Sequence, residues 1–189
     1  MRKRRFSIRE MLLAALFTAL IAAGAWIRIP IPPAPITLQT LFVILAGLLL
    51  GWRGGMISSL LYMLLGLIGL PVFTGGGGLS SVLMPTFGYI VGFPLGAALA
   101  GFLAGRAEKP SFWRYLLAGG AGTLVIYLFG VSWYGIIKAL YFRESADAYT
   151  LFVSLFLIFL PGDLLKCAAA ALAASRLSAI LPRSITKVR

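Results

Sequence analysis

Asp163 and Lys166 stand three residues apart at the start of a long apolar run, a spacing that puts both on one helical face. Charges at membrane depth are costly, and where they occur they point to binding or transport chemistry. Facing a pocket, the carboxylate could recognise an uncharged polar ring and the ammonium a carbonyl or an anion. The plainer reading makes Asp163 the N-cap of the last helix and lets Lys166 snorkel to the interface. A second group, Thr37, Gln39 and Thr40, opens another apolar run, and Gln39 is the only glutamine in the chain. Thr86 and Tyr89 open a third, where a helix cap and an interfacial tyrosine are the ordinary roles. Between these groups lies a glycine loop, Thr74 to Ser81, containing Gly75, Gly76, Gly77 and Gly78. Such a backbone can approach a ligand closely; a flexible linker is the alternative.

Residues that are missing exclude several chemistries. The chain has no histidine, no asparagine and one cysteine, Cys167. Ser-His-Asp triads, HExxH zinc sites and intrachain disulfides are therefore excluded, and no metal site or cofactor is expected. No GxxxxGK[ST] phosphate loop occurs, so any ATP-driven activity needs a partner. An intramembrane enzyme using Asp163 and Lys166 as acid and base would lack a second catalytic carboxylate, because Glu144 and Asp147 fall in a short polar loop that reads as solvated.

These groups must be held by membrane-spanning helices. Hydrophobic residues make up 60% of the chain and charged residues 12%, and the mean hydropathy is +0.98; a soluble domain is about 25% charged. A span needs about 20 mainly apolar residues. Candidate spans run 11–27, 36–51, 55–70, 85–105, 113 to about 137, and 164–181. The first ends in Arg28 and a cluster of four prolines, Pro30, Pro32, Pro33 and Pro35, which stop a helix. It is expected to be retained, since no A-x-A-like cleavage site closes it. Trp52-Arg53-Gly54 joins the second and third as a tight hairpin. The ten-residue apolar stretch 151–160 is too short to cross and reads as interfacial or re-entrant.

Alternating loops place thirteen basic residues on one side (the N-terminal cluster, Arg53, the group around Arg106, Lys109 and Arg114, and the C-terminal cluster) and only Arg28, Lys138, Arg143 and Lys166 on the other. The net charge of +12 is therefore read as orientation rather than nucleic-acid binding: basic flanks stay in the cytoplasm. The expectation is an all-α integral membrane protein of six transmembrane helices, N- and C-termini cytoplasmic, with a short interfacial or re-entrant segment before the last helix. One six-helix domain would cover 1–189, with basic cytoplasmic tails at 1–9 and 182–189, in a prokaryotic-type cell membrane. On the first helix Ala15, Ala19 and Ala23 form a small-residue stripe that suits either internal packing or close approach of a partner helix.

The segments Gly24–Thr40 (GAWIRIPIPPAPITLQT), Leu45–Gly55 (LAGLLLGWRGG), Leu65–Phe73 (LGLIGLPVF) with the glycine loop, Pro85–Phe93 (PTFGYIVGF) and Leu160–Lys166 (LPGDLLK), in this order, resemble the BioY family. The proline-studded run into PITLQT and the PGDLLK string are the specific parts. The resemblance implies a six-helix biotin-specific substrate-binding subunit, or S-component, of an energy-coupling factor (ECF) transporter. It implies that Asp163 and Lys166 are pocket residues, with Thr37, Gln39, Thr86 and Tyr89 beside them. The glycine loop would line or cover the pocket through Gly77, Gly78, Ser80 and Ser81. The Ala15, Ala19 and Ala23 face would dock on a transmembrane coupling subunit, with cytoplasmic ATPases supplying energy. Biotin would be cargo, not cofactor, and the chain would not be an enzyme. Rival readings are an S-component for another vitamin such as riboflavin or thiamine, the intramembrane enzyme above, and a ligand-free helical scaffold.

Overall fold

The computed structural model describes residues 7–31, 34–105, 111–143 and 153–178. The C-terminal tail expected at 182–189, most of the N-terminal tail, and Arg106, Lys109, Glu144 and Asp147 lie outside these residues. Helix α1 covers Ile8–Trp26, followed by two short strands, β1 (Arg28–Ile29) and β2 (Ile36–Thr37). Helix α2 covers Gln39–Leu67, α3 Phe87–Ala104, α4 Phe112–Leu140 and α5 Leu160–Leu177. A 3₁₀ turn, Leu79–Leu83, precedes α3, and one π-helical turn, Val153–Leu157, precedes α5. Among the described residues five helical segments are long and apolar enough to cross a membrane, the last running Leu155–Leu177. The apolar stretch expected as a separate short segment at 151–160 thus continues, from Leu155, into the last span. Residues 151 and 152 are outside the described set.

Local chemistry sets the boundaries. Ser7 caps α1 in a capping box: its backbone N–H donates to Glu10 Oε2 at 2.8 Å, and Glu10 N–H donates to Ser7 Oγ at 3.2 Å. Downstream, β1 and β2 pair antiparallel, Arg28 opposite Thr37 and Ile29 opposite Ile36, with Pro30 directly after β1 and Pro35 directly before β2.

Helix α2 is not one rod. Gly51 adopts φ 74° and ψ 179°, a conformation essentially closed to residues with a Cβ. Beyond it the chain folds back. A Cβ on Gly55 would stand 2.6 Å from Gly47 Cα, whereas eight residues of straight helix span about 12 Å. Gln39 and Tyr62, further from the bend on either arm, are hydrogen-bonded at 2.5 Å. The hairpin expected at Trp52-Arg53-Gly54 therefore exists, with its pivot at Gly51.

Helix α2 packs against α1, α3 and α5, and α4 closes the bundle against α3 and α5. The α3–α4 contact is backbone-close: a Cβ on Gly96 would lie 2.6 Å from Gly122 O. Such small-residue interfaces substitute for hydrophobic driving force between helices in lipid. The outside is apolar, as a lipid-facing surface must be: Leu117, Leu124 and Leu128 on α4 are 73%, 55% and 65% exposed. On α1 Ala14, Phe17, Thr18 and Ile21 are buried, while Ala15, Ala19 and Ala23 are exposed.

Candidate functional site

Polar side chains converge at one end of the bundle, where α2, α3 and α5 begin and the β-ribbon and glycine loop lie. The PGDLLK segment places the charges. The N-cap role expected for Asp163 is not what the chain adopts: α5 starts at Leu160, with Phe159 at the cap and Pro161 in the first turn. Proline is favoured there because its missing N–H has no helical partner in the first turn anyway. The helix therefore begins before Asp163 and frees its carboxylate to point inward.

Asp163 is buried, and both of its oxygens accept hydrogen bonds. Thr40 Oγ1 donates to Oδ1 at 3.0 Å, Tyr127 OH donates to Oδ2, and Lys166 pairs with Oδ1. Lys166 Nζ also donates to Thr37 O and Thr40 Oγ1, both at 2.9 Å. The side chains of Lys166 and Asp163 are only 12% and 7% exposed, so this is a largely enclosed pair rather than a snorkelling lysine. Buried charges persist when paired and hydrogen-bonded, and both conditions hold here.

A second chain of bonds lies alongside. Thr37 Oγ1 donates to Gln39 Oε1 at 3.2 Å, Gln39 Nε2 donates to Tyr62 OH, and Tyr62 OH donates to Val72 O at 3.1 Å. It ties the two arms of α2 to the loop that follows them. Tyr89 OH donates to Leu155 O at 3.1 Å and anchors the turn before α5.

Between these networks is a cavity of about 70 Å³, several times the roughly 10–15 Å³ that one water requires. Seven residues singled out from sequence line it together: Thr37, Gln39, Thr40, Thr86, Tyr89, Asp163 and Lys166. Apolar walls come from Ile36, Ile90, Phe93 and Phe159. An apolar cavity with a few placed polar groups is the form small-molecule sites take. Among the described residues no cluster of histidine, cysteine and carboxylate side chains could hold a metal.

The glycine loop meets this cavity at Thr74; Gly77, Gly78, Ser80 and Ser81 are not among its lining residues. The loop is not slack. Phe73 and Gly76 exchange two backbone hydrogen bonds, and Gly78 N–H donates to Gly66 O at 2.7 Å. The Phe73 ring fills the space a side chain at Gly66 would need. Ser80 is exposed, and Ser81 is buried with an Oγ that has no hydrogen-bond partner in the structure.

Sequence reasoning gave no site role to Tyr127 or Arg28 and named Thr74 only as the start of the glycine loop. The first stands in mid-run on α4, where a tyrosine reads as packing; its only sequence signal is a shared face with Thr123 and Tyr134, at spacings of four and seven. The latter two are joined across the site, Arg28 Nη1 donating to Thr74 O.

A profile described as the BioY family matches residues 1–183. The chain is 43% identical over 171 residues to the biotin transporter BioY of Thermotoga maritima, covering 90% of this chain and 96% of that protein. It is 40% identical over 171 residues to the probable biotin transporter BioY of Lysinibacillus sphaericus, covering 90% and 87%. The fold is similar to a crystal structure of the S-component for biotin from an ECF-type ABC transporter, with a TM-score of 0.83 at 29% identity, covering 95% of this chain and 96% of that one.

Proposed function

The chain belongs to the BioY family, and from that premise we propose that it captures biotin outside the cell and serves its uptake as the S-component of an ECF-type transporter. One observation carries the reading. The segments that resemble the family, PITLQT and PGDLLK, meet in space around a single cavity with apolar walls and a largely enclosed Asp163–Lys166 pair. Biotin has a fused apolar bicycle, a neutral ureido group and a carboxylate tail, and the apolar walls and few polar groups that line the cavity match these in kind. Asp163, Lys166, Thr37, Gln39, Thr86 and Tyr89 hold the ligand in this reading. The loop bearing Gly77, Gly78, Ser80 and Ser81 covers it, closing through Thr74.

Each arm of α2 crosses the membrane in this reading, giving six crossings with α1, α3, α4 and α5. An even number leaves both termini on one side. The bend at Gly51, the end of α3 and the start of α4 lie together: a Cβ on Gly101 would stand 2.5 Å from Gly51 C, and Arg114 donates to Leu103 O at 2.9 Å. Arg53 and Arg114 therefore share the end opposite the cavity, which supports a cytoplasmic assignment for that end and an outward-facing cavity. The host is a cell membrane, and cytoplasmic ATPases act through a coupling subunit that docks on the exposed Ala15, Ala19 and Ala23. Biotin enters with the loop open and is delivered inward by reorientation within the complex. Cross-links that reported one fixed orientation throughout turnover would contradict that step.

Competition decides the ligand class. With labelled biotin bound to the purified protein, a hundredfold excess of unlabelled biotin should displace the label, and the same excess of riboflavin or thiamine should not. Displacement by either of those would transfer the site to another vitamin.

A further inference from the structure

We infer that the carboxylate of the ligand is recognised by Arg28 at the cavity mouth, while the Asp163–Lys166 pair faces the neutral ring; this rests on the biotin-binding reading above. The inner cation has no capacity to spare. An ammonium has three donors, and those of Lys166 go to Thr37 O, Thr40 Oγ1 and Asp163 Oδ1. Its charge is cancelled by Asp163. Bringing a ligand carboxylate to Lys166 would break one of these bonds and set two anions beside one cation. Asp163, in contrast, accepts from Thr40, Tyr127 and Lys166. A carboxylate offers about four acceptor positions, so one remains for a ring N–H.

Arg28 has the opposite balance. A guanidinium carries five donors, and one of them is used, on Thr74 O. Among the described residues no carboxylate pairs with it. Two observations put it at the mouth. It stands directly opposite Thr37 in the β-ribbon, and opposed residues of an antiparallel pair project from the same face. Its side chain also bonds Thr74, and Thr37 and Thr74 both line the cavity. An exposed guanidinium with a free fork fits a carboxylate bidentately, which a lysine cannot do. The charge balance agrees: Asp163 offsets Lys166, and Arg28 adds one positive charge to meet the one negative charge of the ligand.

The test compares biotin with biotinamide, its neutral tail amide, on the purified full-length protein. Wild type is expected to bind biotin about tenfold more tightly than biotinamide, equivalent to about 1.4 kcal/mol. Arg28→Gln should weaken biotin by about that factor, leave biotinamide within about twofold, and flatten the salt dependence of the biotin on-rate. Retained biotinamide binding shows that this variant is folded. Lys166→Gln should weaken both compounds alike. If Arg28→Gln weakened both compounds equally, or neither, or if Lys166→Gln removed the preference for biotin while Arg28→Gln kept it, the inference would be overturned. A wild type that bound neither compound would instead overturn the biotin reading itself, and this inference with it.

Discussion

At the residue scale the site is a closed set of hydrogen bonds around one carboxylate. The i, i+3 spacing of Asp163 and Lys166 was legible in the sequence, because charges beside an apolar run are costly and stand out there, although a cap and a snorkelling lysine were the plainer reading. Their partners were less so. Thr40 was visible beside Gln39, but Tyr127 lies 36 residues before Asp163 and meets it only when α4 packs on α5. No local pattern encodes that contact. Its removal is informative, since Tyr127→Phe keeps the ring and deletes the donor. Hydrogen bonds to charged groups contribute about 1.5–3 kcal/mol, so biotin binding should weaken by roughly tenfold or more while the protein remains monodisperse in detergent. Unchanged affinity in Tyr127→Phe would place Asp163 outside the ligand's reach.

At the element scale the turning points decide the architecture. The length of the apolar runs set the helix ends to within a few residues: α1 begins at Ile8 where 11 was expected, and α4 ends at Leu140 where about 137 was expected. The start of α5 was misread because aspartate is a strong cap, whereas proline in the first turn extends the helix back to Leu160. The α2 hairpin was anticipated, but its pivot depends on a backbone conformation that no composition reveals. Gly51→Ala tests it. Placing a Cβ at φ 74°, ψ 179° costs on the order of 1–3 kcal/mol, so the thermal midpoint in detergent should fall clearly below that of wild type. A midpoint equal to wild type would mean that the bend does not need glycine. The glycine loop shows the reverse limit: four glycines left a flexible linker open as the alternative to a ligand-covering loop, and it is Phe73 seated over Gly66 and the bond from Gly78 to Gly66 that hold it in place.

At the scale of the whole molecule, composition alone identified a membrane protein, and charge placement along the chain suggested its orientation. What composition could not supply was the burial pattern. Only packing reveals that α1 turns Ala14 and Thr18 inward and Ala15, Ala19 and Ala23 outward. If that outward stripe is the docking face, Ala19→Trp should leave biotin binding to the isolated protein within about twofold and abolish uptake in cells that contain the coupling subunit and its ATPases. Full uptake by Ala19→Trp would move the docking face elsewhere. The measurement that bears most directly on the whole account is equilibrium binding of labelled biotin to the purified, detergent-solubilised protein, run beside Asp163→Ala and Lys166→Ala. The account predicts saturable one-to-one binding by wild type, weakened at least about tenfold, or about 1.4 kcal/mol, by either substitution. A well-folded wild type that bound no biotin would contradict the assigned ligand, and full affinity in both variants would contradict the assigned site.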